Sequence, residues 1–363
     1  MPRHRSPALA VLTVVLLGLA GCTTTVDDPA PPAGRELFAY STSGELIVAE
    51  GAEVLSRTPV QIDTETEIRF TADGKYVVAR EFAKDDDTAA LIAVNVAQPD
   101  QVIRLQCNCR SFVPAGDSTI AWITAETVMR VDLAAAQPEP AARHTLPAPA
   151  AREGSFYTDR LLAADGDRLL WARTEFSFLT HGFRSELFLV AGDGADRLLG
   201  DIPDVDSSVH GAAFSPDGNA AAVISDTTPY GDVHPYGCPR AAITLVDLRP
   251  ETQRTVFPVL ENCSTPRKVR WDNEIGLTVA IGQRERNESN TSARTYRWQY
   301  ADDQWSPVDG PVVDRLRPSV VATIELAEPT SGSAHTLYRI ADGERVRLAD
   351  GVHSIATPPG IAG

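Results

Sequence analysis

The chain has 363 residues, 43% of them hydrophobic and 23% charged, with a formal net charge of −16 at pH 7. So acidic a surface repels phosphate backbones and anionic headgroups, which excludes nucleic acid as a partner. The length fits two or three ordinary domains or one large β architecture.

The first element in chain order is an export segment. Arg3 and Arg5 precede an apolar run over residues 8–20, which at about 13 residues is too short to span roughly 30 Å of hydrocarbon. The run closes on Leu19-Ala20-Gly21-Cys22, which resembles the lipobox of bacterial lipoproteins. That resemblance implies a signal peptide over 1–21, diacylglycerol transfer to the Cys22 sulfur, and cleavage that makes Cys22 the new N-terminus. Two or three acyl chains would then hold the protein on the extracytoplasmic side of the membrane essentially permanently. Residues 22–34, rich in Thr, Pro, Ala and Asp, read as a flexible tether.

From residue 35 a phrase recurs: an apolar strand, a polar turn and a second apolar strand. It reads Phe70-Thr71-Ala72-Asp73-Gly74 before Tyr76-Val77-Val78, and Phe112-Val113-Pro114 before Ile120-Ala121-Trp122. It returns at Leu162 to Trp171, at Phe214-Ser215-Pro216-Asp217-Gly218, and in degraded form at Val269 to Val279. The turn residues supply a tight reversal and the flanking runs supply buried strands. A third strand follows each copy, at 90–96, 127–133, 186–191 and 241–248. A weaker fourth follows, for example at 101–105 and 195–199. Copies lie roughly 40 to 57 residues apart, the length of a four-stranded propeller blade with its loops.

The phrase around Phe214-Ser215-Pro216-Asp217-Gly218 resembles the WD40-like repeats of TolB-type β-propellers. The resemblance implies a toroid that binds partners, and no particular reaction. The expected fold is therefore all-β, a propeller over 35–358 with a short tail at 359–363; an array of two-sheet sandwiches is the alternative. Residues 37–40, 45–49 and 53–58 form three strands lacking a leading one, which 352–357 would supply, locking the ring. The last full blade combines 320–326 with 336–340. This gives seven blades, or six if the N-terminal set is absorbed elsewhere.

Four cysteines follow Cys22. Cys238 and Cys263 flank one proposed sheet and are expected to pair, leaving Cys107 to pair with Cys109. A zinc site competes with this reading, but no histidine stands at ligand spacing from these cysteines.

The connections between second and third strands are the long ones, at 82–88, 174–185, 226–240, 282–293 and 327–334, and all open on one face of the ring. Loops presented by a rigid scaffold carry function disproportionately. One contains Phe176, Phe178, His181, Phe183 and Arg184; its neighbour contains Tyr230, Asp232, His234 and Tyr236. Aromatic side chains give large contact area at low entropic cost, so these nine residues are the ligand-binding candidates, against the alternative that they pack the loops onto the ring. His181, His234 and Asp232 are also a conceivable metal set, although no metal or other cofactor is expected.

Nucleophile-elbow, zinc-protease and phosphate-cradling motifs are missing. The expected function is a non-catalytic binding module for an envelope protein or cell-wall polymer. The alternative is a hydrolase or lyase acting on sugars or lactones through channel carboxylates, and a third is a scaffold for an envelope complex.

Overall fold

A computed structural model describes residues 35–359 except 63–66, 82–88, 151, 179–181, 193, 203–208, 228–238, 250–251, 257–262, 273–275, 285–293, 309–313, 317–321 and 332–333. Its strands form seven four-stranded antiparallel sheets, arranged as the blades of a propeller. Blade 1 comprises Leu37–Ser41, Glu45–Glu50 and Glu53–Pro59, with Ser354–Ala356 as its innermost strand. Blade 2 runs from Ile68–Phe70 through Tyr76–Glu81 and Ala90–Asn95 to Val102–Gln106, and blades 3 to 6 repeat that order. Blade 7 is Asp314–Arg315, Ala322–Ser331, Ala334–Ala341 and Glu344–Val352.

The apolar runs are continuous because each blade is covered on both faces. Successive residues of a strand point to opposite sides, so Val77 and Ala79 enter the cluster shared with blade 1, while Tyr76 and Val78 enter the one shared with blade 3. Blade 5 repeats this: Ala221 and Val223 face blade 4, Ala222 and Ile224 face blade 6. The core therefore lies between blades and not within one.

The repeated phrase has a hydrogen-bonding reason. In blade 2 the Thr71 hydroxyl donates to Asp73 Oδ1 (2.7 Å) and accepts the Tyr76 N–H (3.1 Å), while Asp73 Oδ1 accepts the Lys75 N–H (3.1 Å). Blade 5 builds the same cage: Ser215 Oγ donates to Asp217 (2.6 Å) and accepts the Ala220 N–H (2.9 Å), and Asp217 accepts the Asn219 N–H (3.1 Å). Gly74 and Gly218 take the positive φ of the turn, 70° and 65°. Hydrogen bonds from Ser215 and then Asn219 hold the Asp217 carboxyl down at about 2.

The ring closes with strands from both ends of the chain. Ala39 pairs with Ala356, Tyr40 with Ile355 and Ser41 with Ser354. Arg339 forks onto Glu36 at 2.5 and 2.9 Å, joining blade 7 to blade 1. Asp314, only 7% exposed, takes Lys268 Nζ (2.5 Å), Arg270 Nη1 (3.3 Å) and the Thr357 hydroxyl (2.5 Å), and Arg270 also donates to the Pro358 carbonyl (3.1 Å). This cluster ties blades 6, 7 and 1 together. Leu37–Ser41 occupies the second position of its blade, so the chain enters the ring on the face bearing the Asp-Gly turns.

Two expected connections are largely strand. In blade 4 the second strand continues to Ser177 and the third begins at Gly182, so most of 174–185 is paired. In blade 7 the strands reach Ser331 and resume at Ala334. In blade 4, Thr174, Phe176 and Phe183 suit the continued ladder.

Candidate functional site

Blade 4 holds the longest strand, and its inner three, Ser155–Asp165, Arg168–Ser177 and Gly182–Val190, have 11, 10 and 9 residues. The equivalent second strand of blade 2 has 6. Four extra residues at about 3.3 Å each carry this ribbon roughly 13 Å past the ring, on the face opposite the Asp-Gly turns.

Register sorts the side chains of the ribbon. Phe156 stands opposite Phe176, which stands opposite Phe183, placing all three on one side. Phe178, two residues on from Phe176, joins them. The rings form one cluster: Phe176 lies 5.1 Å from Phe156, 5.1 Å from Phe178 and 4.9 Å from Phe183, and Phe156 lies 5.6 Å from Phe178. Nonetheless Phe156 is 48% exposed, Phe178 59% and Phe183 38%. Trp171 and Phe188, by contrast, stack at 4.1 Å within the blade, with Trp171 fully buried. The ribbon's aromatic side is thus an apolar patch projecting into solvent.

The reverse side is polar. Tyr157, Glu175 and Arg184 stand opposite one another. Glu175 binds Arg152 (2.8 Å) and the Ser155 hydroxyl (2.7 Å), and Arg184 forks onto Asp201 at 3.1 and 2.8 Å. Hydrogen bonding to Asp201 raises the Arg184 guanidinium above its ordinary value, against a smaller loss from burial. Arg184, read from sequence as part of one surface with the phenylalanines, therefore lies across the ribbon from them. Closer to the ring, Arg173 forks onto Asp159 at 2.7 Å through both Nε and Nη2 and stiffens the base.

Phe156 was missed by sequence reasoning, because the blade 4 phrase was read as starting at Leu162. The run Ser155-Phe156-Tyr157-Thr158 is the signal that extends the strand. His181, Tyr230, Asp232, His234, Tyr236, Cys238 and Cys22 lie outside the described residues. The connection carrying Tyr230 to Tyr236 leaves the ring at Thr227 and returns at Arg240, which pair, on the same face as the ribbon. Cys107 is bonded to Cys109. Cys263 is disulfide-bonded to a partner outside the described residues, and the Ser264 N–H donates to the carbonyl of Pro239, the residue after Cys238. Among the described residues no group of three or more His, Cys, Asp and Glu side chains could hold a metal ion.

Two carboxylates beside the inner strands, among the described residues, are ion-paired. Glu67 receives Arg69, and Asp314 receives Lys268 and Arg270. Burial alone would raise both carboxyls. The neighbouring cations overcome it and hold both below their ordinary values.

No protein-family model matches the sequence, and no curated protein matches it significantly. Among solved structures, the chain is similar to a protein from Lactobacillus plantarum at 12% identity and TM-score 0.53, over 88% of this chain and 98% of that one. It is similar to apo AztD from Citrobacter koseri at 11% identity and TM-score 0.51, over 88% and 96%. It also resembles a prolyl endopeptidase at 13% identity and TM-score 0.51, over 91% of this chain and 50% of that longer one. One fold hosts many unrelated functions, so these likenesses establish the β-propeller fold alone.

Proposed function

We propose that the chain is an extracytoplasmic lipoprotein, anchored through diacylglycerol on Cys22, whose propeller acts as a non-catalytic binding module. The observation that carries this reading is the phenylalanine cluster on the blade 4 ribbon. Three of its four rings are more than a third exposed although they touch one another. Leaving such surface in water has a cost that docking recovers, at about 25 cal/mol per Å². Of the two partner classes expected, an envelope protein is favoured over a cell-wall polymer. Phenylalanine offers an apolar anchor but no hydrogen bond to a sugar hydroxyl.

The anchor fits this orientation. Residues 22–34, read from sequence as a tether, would span about 20 Å and lead to residue 35 on the Asp-Gly face of the ring. A lipid at Cys22 then biases that face toward the bilayer and leaves the ribbon pointing away. Affinity purification from envelope extract with the body lacking residues 1–22 tests the assignment. Loss of specifically captured protein on changing Phe178 and Phe183 to Ser, with folding intact, supports it. Retention of every such partner refutes it.

The enzymatic alternative would act through Glu67 or Asp314. Both are held ionised, which suits a base or nucleophile and not a general acid. Turnover on a glycan or lactone panel, abolished by Glu67→Gln or Asp314→Asn, would establish it in place of the binding role.

A further inference from the structure

The inner strands of blades 4 and 6 set a cation at the same level of the ring. Arg160 pairs with Ala172, and Lys268 with Ala280; each partner lies four residues after the start of its second strand. Arg69, on Ile68–Phe70, reaches Glu67 Oε2 through Nε (3.0 Å) and Nη2 (2.5 Å). The same Nη2 lies 3.9 Å from where a Cβ would stand on Gly211, so it extends to the inner strand of blade 5. Arg160 Nη1 donates to the Val209 carbonyl of that strand at 3.1 Å. The Glu67 side chain is 37% accessible, so an ion from solvent can reach it.

These groups are electrically coupled. The Glu67 carboxyl is held below its ordinary value because, against burial, it feels Arg69, Arg160 and Lys268. Arg160 is pushed below its own ordinary value by burial first, and then by repulsion from Arg69 and Arg80 that the attraction of Glu67 does not cancel. Among the described residues, Arg69, Arg160, Lys268 and Arg270 gather about the two carboxylates Glu67 and Asp314. The whole chain meanwhile carries −16. Like charges gathered in this way repel one another, and a bound anion relieves that repulsion.

We infer that this belt of Arg69, Arg160 and Lys268 around Glu67 is a binding site for a multiply charged oxyanion, the phosphate or polycarboxylate group of a small ligand. Arginine forks suit both chemistries. The ligand enters from the ribbon face, because Asp314, Arg270, Thr357 and Pro358 are joined on the opposite side. The site is separate from the phenylalanine patch and stands whether or not that patch binds a partner.

Calorimetric titration of the full chain in detergent, with pyrophosphate and separately with citrate, tests the inference. Saturable binding of pyrophosphate alone assigns a phosphate ligand, binding of citrate alone a carboxylate one, and binding of both the shared oxyanion chemistry. Arg160→Gln and Arg69→Gln are each expected to weaken binding about tenfold. Glu67→Gln, which removes the internal competitor, is expected to tighten it severalfold. If Arg160→Gln fails to fold, the Arg69 and Glu67 variants decide. Saturation by neither anion at millimolar concentration, or a Glu67→Gln variant that binds no tighter than the native chain, overturns the inference.

Discussion

Asp314 shows how one side chain can decide whether a ring stays shut. It accepts from Lys268, Arg270 and Thr357 at the junction of three blades, and is 7% exposed. Asp314→Asn leaves two cations facing a neutral amide, and urea unfolding at pH 7 is expected to show a loss of about 3 kcal/mol. The pH dependence follows from the direction of its shift. The folded carboxyl is held below the ordinary value of about 3.9, so its contribution is complete above that pH and is lost as pH falls through the lowered folded value. The native chain should therefore lose urea resistance below about pH 4, and Asp314→Asn should lose less of it. The cage in blade 2 makes a second residue-scale prediction. Thr71 is fully buried and its hydroxyl serves both Asp73 and the Tyr76 N–H. Thr71→Val should cost about 1–2 kcal/mol by the same assay, since it leaves a buried N–H without its acceptor.

At the scale of the element, the blade 4 ribbon and the blade it grows from should respond oppositely to substitution. Phe178→Ser and Phe183→Ser change exposed rings, and unfolding free energy should stay within about 0.5 kcal/mol of the native value. Trp171→Ala, which removes a fully buried ring stacked on the half-buried Phe188, should cost about 3–5 kcal/mol. Much of this architecture was legible in the sequence. Hairpin turns signal themselves locally, because Thr71 or Ser215 with the following Asp and Gly can satisfy the turn without help from elsewhere. The ribbon was read as a loop because its extension depends on cross-strand pairing of Phe156, Phe176 and Phe183, residues up to 27 positions apart. The side of the ribbon that Arg184 occupies was hidden for the same reason: only register assigns it. The cationic belt was illegible altogether. Arg69, Arg160 and Lys268 are scattered single residues until the ring brings their strands to one channel.

For the whole molecule, closure is the property from which position and orientation follow. Pairing of Ser354–Ala356 with Leu37–Ser41 makes the two ends of the folded chain neighbours. Truncation after residue 352 removes that strand together with Thr357 and Pro358, and the thermal midpoint should fall by more than about 5 °C. An unchanged midpoint would mean that the seam contributes nothing. Closure also fixes the face on which residue 35 enters the ring, which under the proposed lipid anchor is the face held toward the bilayer. Cys22→Ser should move the protein from the membrane to the soluble fraction on carbonate extraction, and intact-mass analysis should show the acyl groups gone.

The most direct test of the binding role compares partner capture and folding in one variant. The body lacking residues 1–22, with Phe156, Phe178 and Phe183 all changed to Ser, is purified beside the native body, and each is used to capture proteins from envelope extract. The ribbon's role predicts the same unfolding midpoint and the disappearance of the specifically captured protein. The same midpoint with that protein still bound would contradict it.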